Sequence, residues 1–492
     1  MDKLESALRD LENSGSYPFH MPGHKRRPVL EQLEKAYAWD ITEIDGFDNL
    51  HDPEGIIKKE QEFAAELFGA EESFFLINGS SCGVLGAIAA VAGKSGDGSR
   101  LLMGRNAHKS AYNALYLADI KADYLYPERI PGISFAGEIR AEHIEEALKT
   151  SDSYAGIFLT SPTYEGVISD IQKICEIAHK KGIPVIVDEA HGAHLGIWGG
   201  DGYFPSDALA QGADVVIQSL HKTLPSMTQT AILHVQGRLV DRQKLKMNLR
   251  MFQSSSPSYI LMESMISCLH YCQENKKKLL EEYEKNLKAF YRKGNGLSRM
   301  EIWNADRINS LRQLKRKIVM DPGKLVIGTG KTGLSGRQLY DILREKYHLQ
   351  MEMAAQDYVI AMTSVMDTPE GFERLADALK EIDAKAGQSS RKRQAEEMAF
   401  EESETVQKPE AVYGIRKALE MPGETVFLEE SEGRISQAFV CLYPPGIPLI
   451  VPGEKIPKGL PAYLKRVAEM GLTVQGLKDG GRNMKIEILE GL

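Results

Sequence analysis

Cysteine and long apolar runs are both scarce in this sequence. Only five cysteines occur in 492 residues, and so few in so long a chain build no disulfide framework. The N-terminal sequence MDKLESALRD has no apolar signal segment, and no stretch approaches the roughly 20 continuous apolar residues of a membrane helix. We therefore expect a cytoplasmic protein with no membrane partner.

An excess of positive charge is also missing. The formal net charge is −9 at pH 7, whereas nucleic acid binding needs a concentrated basic surface that displaces counterions from phosphates. This argues against nucleic acid as the main partner and permits a cationic small molecule. With 42% apolar and 26% charged residues, the composition is typical of a globular protein, and the length predicts about two to four domains.

Residues 56–235 alternate short β-rich runs with helical patterns. This alternation is typical of βαβ units and predicts an α/β domain with a mainly parallel sheet. Helices are expected at 82–92 and 168–181. Strands are expected at 73–77, 101–104, 122–126, 157–160, 184–187, 215–218 and 231–235. Ligands of such sheets collect at the carboxyl ends of the strands, so the residues that follow each run are the candidates for a site.

The chain falls into segments of different character. We expect an N-terminal segment over 1–55, a large domain over 56–295 that ends in a long charged helix, and a smaller α+β domain over 296–385. Residues 386–408 are polar and uneven in charge, which predicts a linker. A C-terminal α+β domain is then expected over 409–492.

A carboxylate and a lysine follow two successive predicted strands. Asp188 ends the apolar run in PVIVDEAHGAH, where a carboxylate is costly unless a cationic group meets it. Lys222 follows the next run, in VVIQSLHKT. A lysine there can form a Schiff base with pyridoxal phosphate (PLP), and the carboxylate can keep the pyridine nitrogen of that cofactor protonated. Taken singly, a strand-end aspartate and a surface lysine are ordinary features.

The sequence INGSSCGVLGAI predicts a strand, a turn and the start of a helix. The backbone N–H groups of such a helix start, together with nearby hydroxyl groups, bind anions such as the phosphate of the cofactor. The candidate phosphate ligands are Gly79, Ser80, Ser81 and Cys82, with Ser219 and His221 beside the lysine as further donors. Serine-rich helix starts are also common for structural reasons alone.

Several histidines follow strands, and each has an ordinary alternative. His108, in GRNAHKS, is the candidate to lie flat against the cofactor ring, although a histidine at a strand end often bonds only locally. His191 and His194 have the same ambiguity, and His191 is included among the cofactor-binding candidates. No third ligand completes a zinc site with them. Cys268 and Cys272 lie in a helical pattern and are expected to be packed thiols, so no metal is predicted.

Motifs along nearly the whole chain resemble one family. The sequence is similar to the prokaryotic ornithine/lysine/arginine decarboxylases, which are group III PLP-dependent decarboxylases of aminotransferase-like fold type I. The similar segments are FHMPGHKRR at 19–27, FDNLHDPEGII at 47–57, FFLINGSSCGVLGAI at 74–88, RNAHKSAYNAL at 105–115, LTSPTYEGV at 159–167, VDEAHGAHLG at 187–196, SLHKTLPSMTQTA at 219–231, QSSSPSY at 253–259 and YPPGIPLIVPGE at 443–454. The Ser-x-His-Lys segment together with YPPGIP is highly specific, whereas the glycine and serine turn is not.

The resemblance implies a fold and a set of cofactor contacts. It implies an α/β large domain with a mainly parallel seven-stranded sheet, a smaller α+β domain and a C-terminal α+β domain. Lys222 would be the Schiff-base lysine and Asp188 the partner of the pyridine nitrogen. Ala190 would lie under one face of the ring and His108 over the other.

The resemblance also implies phosphate contacts and a partner. Around the phosphate it places Ser80, Ser81, Cys82, Ser219 and His221. The QSSSPSY loop would reach a cofactor phosphate across a subunit interface through Ser254, Ser255 and Ser256. The expected assembly is therefore a homodimer with active sites at the interface.

Two features differ from the pattern of the family. The HMPGHK motif begins before residue 25, so we expect no N-terminal wing domain of the kind that the long members carry. Gln437, in GRISQAF, stands where a carboxylate is expected in the short members. A difference in C-terminal contacts or in substrate preference is expected to accompany it.

The activity implied is removal of the α-carboxylate of arginine, lysine or ornithine as CO₂, which yields agmatine, cadaverine or putrescine. PLP accepts the electrons of the broken bond, and Lys222 or His221 would then protonate Cα. A basic side chain requires acidic groups at the far end of the pocket, and the candidates are Asp45, Asp48, Glu165 and Glu352. A solvated carboxylate is the ordinary alternative for each of them.

Two other functions stay open at this point. DEAHGAHLG also resembles the corresponding stretch of α-oxoamine synthases and some aminotransferases, which need a substrate-clamping arginine for which no matching motif is present. The other alternative is a catalytically silent PLP-binding relative, although all the cofactor residues are present in the sequence.

Overall fold

The computed structural model of the chain describes residues 15, 17–19, 43, 47–92, 100–150, 154–200, 202–311, 316–386, 407–443, 446–479 and 483–491. They form a seven-stranded sheet, a four-stranded sheet and several smaller sheets, together with helices. Most of the predicted N-terminal segment and of the predicted linker lies outside the described residues. None of the described helices is long and apolar enough to cross a membrane.

The seven-stranded sheet is built from strands of the first half of the chain, between residues 72 and 235. Across the sheet, the strands follow the order Glu72–Leu76, Ala231–Val235, Val215–Gln218, Val185–Asp188, Tyr154–Thr160, Arg100–Gly104 and Lys121–Leu125. Ala231–Val235 runs antiparallel to both of its neighbours, and the other neighbouring strands are parallel. The predicted mainly parallel sheet of an α/β fold is therefore confirmed.

The strands form where the sequence has short, continuous apolar runs. Every residue of Val185–Asp188, Val215–Gln218 and Ala231–Val235 is buried, as expected for strands that are covered on both faces. The last two have the predicted bounds, whereas the other strands differ from the prediction by one to three residues at an end. One of these shifts matters for the site, because Asp188 is the last residue of its strand rather than the residue after it.

Helices cover both faces of this sheet. They are Ile56–Phe68, Gly79–Val91, Lys109–Ala118, Ala141–Thr150, Ile171–His179, Ala193–Trp198, Leu220–Thr223 and Arg242–Phe252. Val215 and Ile217 pack in one apolar cluster with the helix Gly79–Val91, and Val216 packs in another with the helix Ile171–His179. This alternation follows from the two-residue period of a strand. Both predicted helices occur, with ends within three residues of the predicted ones.

The single long helix predicted after residue 260 is two helices in the structure. They are Tyr259–Glu274 and Lys276–Gly294. Asn275 separates them with φ −105° and ψ 13°, and its side-chain amide donates a 2.9 Å hydrogen bond to the carbonyl of Tyr271. Such a bond gives a helix carbonyl an alternative partner, which favours a break at this residue.

A four-stranded antiparallel sheet follows these helices. Its strands have the order Glu301–Trp303, Lys324–Gly328, Tyr358–Met362 and Met353–Ala354. The helices of this region are Ala305–Asn309, Gly336–Tyr347 and Pro369–Lys385. Two short pairs of strands join Tyr17–Phe19 to Leu349–Met351 and Val167–Ile168 to Val319–Met320. The second pair connects the smaller sheet to the loop that follows the strand Tyr154–Thr160.

The C-terminal residues form three small antiparallel sheets around their own apolar cluster. The sheets pair Glu410–Ala411 with Glu454–Lys455, Gly423–Phe427 with Lys485–Leu489, and Val440–Tyr443 with both Ile447–Ile450 and Thr473–Gln475. The helices are Ile415–Glu420 and Leu460–Glu469, with a 3₁₀ turn at Leu428–Glu430. The division of the whole chain into five segments stays a prediction.

Candidate active site

Lys222 lies in the short helix Leu220–Thr223, directly after the strand Val215–Gln218. Its Nζ atom is 2.8 Å from Nε2 of His191. His191 follows the neighbouring strand Val185–Asp188, and the two strands are parallel. Their carboxyl ends therefore meet at one edge of the sheet, which is the edge where ligands bind in α/β folds.

Asp188 is a buried acidic group at the end of the neighbouring strand, and its charge acts on this lysine. Its Oδ1 atom accepts a 3.1 Å hydrogen bond from the backbone N–H of Ala190. Burial raises the pKa of Asp188, and the positive charge of Lys222 opposes that change. Burial lowers the pKa of Lys222, and the charges of Asp188 and Glu352 oppose it. The site thus combines a carboxylate that gains from a cationic partner with a lysine that gives up its proton readily.

The glycine and serine turn forms the N-terminus of the helix Gly79–Val91. Asn78 is the N-cap residue, and its side chain makes no capping bond, so the first-turn N–H groups need another acceptor. Gly79 has φ +73°. A Cβ atom built on it would lie 3.8 Å from the carbonyl oxygen of Gln229. The helix start is therefore an open, positively polarised end that suits an anion.

The side chains predicted around the phosphate differ in their surroundings. Ser80 is half-buried and Ser81 is exposed. The Cys82 thiol donates a 3.0 Å bond to the carbonyl of Gly79, and burial raises its pKa to about 12, so it stays uncharged. Ser219 is fully buried, and within the described part of the chain its Oγ atom has no hydrogen-bond partner. A buried hydroxyl without a partner is costly, and an anion beside it would supply the missing bond.

These residues fit PLP. The open helix start and the Ser219 hydroxyl suit a phosphate, and the buried Asp188 carboxylate suits a protonated pyridine nitrogen. Lys222 supplies the amine that an aldehyde carbon requires. Ala190 connects the strand end of Asp188 to that of Lys222. It is buried, its N–H donates to Asp188, and its carbonyl accepts a 3.4 Å bond from the N–H of Ser219.

His108 lies close enough to Lys222 for their charges to interact. It is the N-cap of the helix Lys109–Ala118, where its Nδ1 atom accepts a 3.3 Å bond from the N–H of Ser110. Burial, followed by the charges of Lys222 and Lys109, lowers the pKa of His108 to about 4. The imidazole is therefore neutral at pH 7, as suits a ring that faces a protonated pyridine, because a second positive charge there would be repelled.

His221 is turned toward a backbone carbonyl of the neighbouring loop. Its Nδ1 atom is 2.8 Å from the carbonyl oxygen of Thr230 and donates to it. Its charge also acts on His191, where it lowers the pKa. The structure therefore gathers His108, His191 and His221 around Lys222, but it brings His191 rather than His221 into hydrogen-bond contact with the lysine.

The QSSSPSY loop lies beside the helix start of its own chain. The N–H of Ser254 donates a 3.1 Å bond to Oδ1 of Asn78, and the N–H of Ser256 donates a 2.9 Å bond to Glu43. Ser254, Ser255 and Ser256 are exposed. Their contact with a phosphate across a subunit interface stays a prediction.

Two of the four acidic candidates for substrate binding, Asp48 and Glu165, do not reach Lys222 in any described contact. Asp45 lies outside the described residues. Both oxygens of Asp48 accept backbone N–H bonds, which come from Asn49, Glu54, Gly55, Ile57 and Lys58. Burial raises the pKa of Asp48, but these bonds outweigh it and lower the pKa, which favours a structural role. Glu165 accepts a 2.8 Å bond from the Tyr358 hydroxyl, and burial raises its pKa.

Glu352 is the acidic candidate that the structure brings near Lys222. Its charge acts on the lysine, and its Oε1 atom accepts a hydrogen bond from the Tyr164 hydroxyl. The ring of Tyr164 packs against the ring of His191, with 4.7 Å between the centroids. Sequence reasoning missed Tyr164, for which the only signal was its place beside Glu165 in LTSPTYEGV.

His194 makes a separate buried contact with Asp321. Its Nε2 atom is 3.1 Å from Oδ1 of Asp321. Burial raises the pKa of Asp321, but the charges of His194 and Lys324 outweigh it and lower the pKa. No group of three or more histidine, cysteine, aspartate or glutamate side chains in the described ranges is placed to hold a metal ion.

The fold, the strand-end Lys222 and Asp188, and the open helix start define a PLP-dependent enzyme of the aminotransferase-like fold type I. Family comparison is more specific. The major domain of the Orn/Lys/Arg decarboxylases matches residues 3–368, and their C-terminal domain matches residues 392–480. The chain therefore belongs to the Orn/Lys/Arg decarboxylase family and is a PLP-dependent amino-acid decarboxylase.

Individual relatives and a solved structure are similar to the chain over nearly its whole length. The arginine decarboxylase of Bacillus subtilis is 31% identical over 487 residues, which cover 98% of this chain and 96% of the relative. The uncharacterized protein YaaO of the same organism is 35% identical over 496 residues, with the same coverage of 98% and 96%. Lysine decarboxylase A from Pseudomonas aeruginosa superposes with a TM-score of 0.76 at 20% identity, over 99% of this chain and 80% of that one. The predicted family and fold are confirmed.

Proposed function

We propose that this enzyme holds PLP on Lys222 and removes the α-carboxylate of a basic amino acid. The observation that carries the proposal is the position of Lys222 near two carboxylates, one at the end of a strand of the seven-stranded sheet and one beside the four-stranded sheet. Glu352 is linked to the lysine through Tyr164, which donates to Glu352 and packs on His191, the hydrogen-bond partner of Lys222. Asp188, in the seven-stranded sheet, suits the pyridine nitrogen of the cofactor. Glu352, beside the four-stranded sheet, suits the cationic side chain of arginine, lysine or ornithine.

Each residue of the site has a part in this proposal. When bound, PLP draws the electron pair of a bond at Cα into its ring. Lys222 would hold the aldehyde carbon of the cofactor, Asp188 would keep a proton on the pyridine nitrogen, and Ala190 and His108 would face the ring. The phosphate would be held by Gly79, Ser80, Ser81, Cys82, Ser219 and His221. Burial of Asp188, Ala190 and Ser219 excludes water from this part of the site and strengthens the electrostatic interactions there.

Glu352 would bind the distal cation of the substrate. The hydrogen bond from Tyr164 fixes the orientation of its carboxylate, and a fixed carboxylate is better placed to pair with a cation. A guanidinium group can bond to both oxygens of a carboxylate, whereas an ammonium group makes a point contact. Arginine is the first substrate to test, because the relative named arginine decarboxylase aligns over 98% of this chain.

Product analysis tests the reaction directly. The purified protein is incubated with arginine, lysine and ornithine in separate reactions, and CO₂ and the amine product are measured. We expect one of the three to yield agmatine, cadaverine or putrescine with an equal amount of CO₂. Transfer of the amino group to a keto acid without CO₂, or no reaction with any of the three, would contradict the proposal.

Two variants test the assigned residues. Lys222→Ala is expected to lose the borohydride-trapped cofactor that mass spectrometry detects in the wild type. Glu352→Gln is expected to raise KM about tenfold or more, because about 1.4 kcal/mol of binding corresponds to tenfold, while the cofactor stays attached. Glu345→Gln is the control, because Glu345 lies on the nearby helix with a side chain that is 68% exposed.

We further propose that the enzyme acts as a cytoplasmic homodimer. The exposed Ser254 to Ser256 loop follows the helix Arg242–Phe252, on which Met247 and Met251 are 54% and 61% exposed. Large exposed apolar side chains of this kind are enriched where proteins associate. Light scattering gives the mass in solution. Mixing of a Lys222→Ala chain with a Ser254→Asp chain is expected to restore activity if the two chains share a site.

A further inference from the structure

Asn78 stands at the N-cap position of the helix Gly79–Val91 but does not cap it. Asparagine is among the residues preferred at this position, because its side-chain oxygen can accept a bond from a first-turn N–H group. Here Oδ1 of Asn78 instead accepts a 3.1 Å bond from the backbone N–H of Ser254. Its Nδ2 atom donates a 3.4 Å bond to the Ser254 hydroxyl. Both ends of the amide are therefore engaged by one residue outside the helix.

The backbone of Asn78 agrees with this diversion of its side chain. Its φ is −107° and its ψ is 28°, whereas a residue that caps a helix usually has an extended backbone. Gly79 follows with φ +73°, and a residue without a Cβ atom can take up a change in the backbone angles beside it. Release of the amide would therefore allow Asn78 to turn to the extended conformation and to cap the helix.

Ser254 is held in place by bonds around it. Its carbonyl oxygen accepts a 2.8 Å bond from Nε2 of His51. The side chain of Gln253, the preceding residue, accepts a 2.9 Å bond from the N–H of Ile77, and Gln229 donates a 2.7 Å bond to the Ile77 carbonyl. Because Ile77 directly precedes Asn78, the loop and the strand end are joined at two adjacent residues. Several bonds therefore fix the position of Ser254 relative to the helix start.

An amide that capped this helix would compete with an anion for the same N–H groups. The first N–H groups of a helix have no partner within it, and they are the donors that a phosphate would use. Ser219 offers a further donor three residues before Lys222, because its hydroxyl is buried and has no hydrogen-bond partner in the described part of the chain. The helix start can serve a phosphate only while the Asn78 side chain stays away from it.

We propose that Ser254 is a positioning residue that keeps the phosphate end of the cofactor site open. Its backbone N–H holds the Asn78 amide away from the helix, so the first-turn N–H groups stay available to the phosphate of PLP. Ser254 acts here through Asn78 of its own chain, and this role is separate from the predicted contact of its hydroxyl across a subunit interface. The inference rests on the proposed function, because it takes the helix start as the phosphate site.

Equilibrium dialysis of the cofactor-free full chain against PLP and against pyridoxal tests this role without turnover of substrate. Pyridoxal lacks the phosphate, so the ratio of its dissociation constant to that of PLP measures what the phosphate contributes. Ser254→Pro removes the backbone N–H and Ser254→Ala keeps it, while both variants lack the hydroxyl. The backbone of Gln253, with φ −115° and ψ 148°, accommodates a following proline.

The two variants are expected to differ in this ratio. It should be about fivefold lower in Ser254→Pro than in Ser254→Ala, because the released Asn78 amide then competes with the phosphate. A fivefold change corresponds to about 1 kcal/mol, which is the ordinary strength of an N-cap bond. Circular dichroism shows whether each variant is folded.

Asn78→Ala separates this competition from a distortion of the loop. When Asn78→Ala is added to Ser254→Pro, no amide is left to cap the helix, and the ratio is expected to return to that of Ser254→Ala. A distortion caused by the proline would not be corrected in this way. Asn78→Ala alone is expected to keep the wild-type ratio, because the Asn78 amide bonds to Ser254 and not to the phosphate.

The outcomes are distinct. A lower ratio in Ser254→Pro that Asn78→Ala restores supports the proposal. An unchanged ratio in Ser254→Pro, or a lower ratio that Asn78→Ala does not restore, overturns it and leaves Lys222 as the PLP lysine. A lower ratio in Asn78→Ala alone also overturns it, even if Ser254→Pro does not fold. If borohydride traps no PLP on Lys222 of the wild type, the proposed function itself fails.

Discussion

Arg105 and Glu454 form a buried ion pair although 349 residues separate them in the sequence. Nη2 of Arg105 is 2.9 Å from Oε2 of Glu454, and the two side chains are 7% and 2% exposed. The same nitrogen donates a 3.1 Å bond to the carbonyl of Leu449, and the guanidinium lies 4.8 Å from the centroid of the Tyr124 ring. Since Arg105 precedes His108 by three residues, the bonds of Arg105 to Leu449 and Glu454 connect residues 449–454 to the loop that carries this histidine.

Removal of one charge from this pair is expected to destabilise the protein strongly. Glu454→Gln leaves the Arg105 guanidinium buried without a counter-charge, which costs about 3–5 kcal/mol of unfolding free energy. Denaturant unfolding measures this change. The control is Glu301→Gln, whose pair with Arg307 is partly exposed and contributes about 1 kcal/mol or less. Equal losses of unfolding free energy in the two variants would show that the buried pair stabilises the protein no more than the partly exposed pair does.

The parts of the site that follow strands could be predicted from the sequence. Asp188 and Lys222 stand out because strands that are buried on both faces are continuous apolar runs, so that a charged residue at the end of a run is conspicuous. The strand Val215–Gln218 has its predicted bounds for the same reason. Parallel pairing then brings the two strand ends together without further information.

Contacts between distant segments could not be predicted in this way. The packing of Tyr164 on His191 and the ion pair of Arg105 with Glu454 depend on how separate elements meet in space, and neither has a periodic pattern in the sequence. Asp48 illustrates the converse case. Its acidic side chain suggested substrate binding, but backbone N–H groups within ten residues of it occupy both oxygens.

The thiols are expected to be unreactive in the folded enzyme. All five cysteines are free and buried, and burial raises the pKa of Cys82 and of Cys175 to about 12. Because the thiolate is the reactive form, a disulfide reagent at pH 7 should label few thiols in the native protein. It should label five thiols per chain after unfolding. Rapid labelling of Cys82 in the native state would contradict the buried position of this thiol at the helix start.

The stability of the protein is expected to fall in acid partly because of His234. This side chain is fully buried, its Nδ1 atom lies 2.7 Å from the hydroxyl of Ser73, and burial lowers its pKa to about 3. The unfolded chain binds a proton at the ordinary pKa of about 6.5. Stability from this group is therefore complete above pH 6.5 and is lost progressively as the pH falls toward 3.

A variant isolates this contribution of His234. When the pH falls from about 7 to about 4.5, both proteins lose unfolding free energy. The loss in His234→Gln is expected to be smaller than that of the wild type by on the order of 2 kcal/mol. Urea unfolding at the two pH values measures the difference. His143→Gln, which changes a partly exposed histidine, is the control. If the unfolding free energy of His234→Gln falls with pH as steeply as that of the wild type, His234 does not cause this loss of stability.

Gln437 has a local role that explains why an amide stands at this position. Its Nε2 atom donates to the carbonyls of Ala418 and Met421, at 3.0 Å and 2.7 Å, at the end of the helix Ile415–Glu420. These two carbonyls are among those that a helix C-terminus leaves without partners. A carboxylate has no hydrogen to donate, so a glutamate could not make either bond.

Gln437→Glu is therefore expected to lose stability and to keep its substrate preference. The two lost bonds and the repulsion between carboxylate and carbonyl oxygens should cost about 1–3 kcal/mol, which denaturant unfolding measures. Gln243→Glu, an exposed position, should change stability by about 0.5 kcal/mol or less. The relative kcat/KM values for arginine, lysine and ornithine should match the wild type, because Gln437 bonds only to its own C-terminal segment in the described contacts. A reordering of the three substrates with unchanged stability would instead connect this residue to the active site.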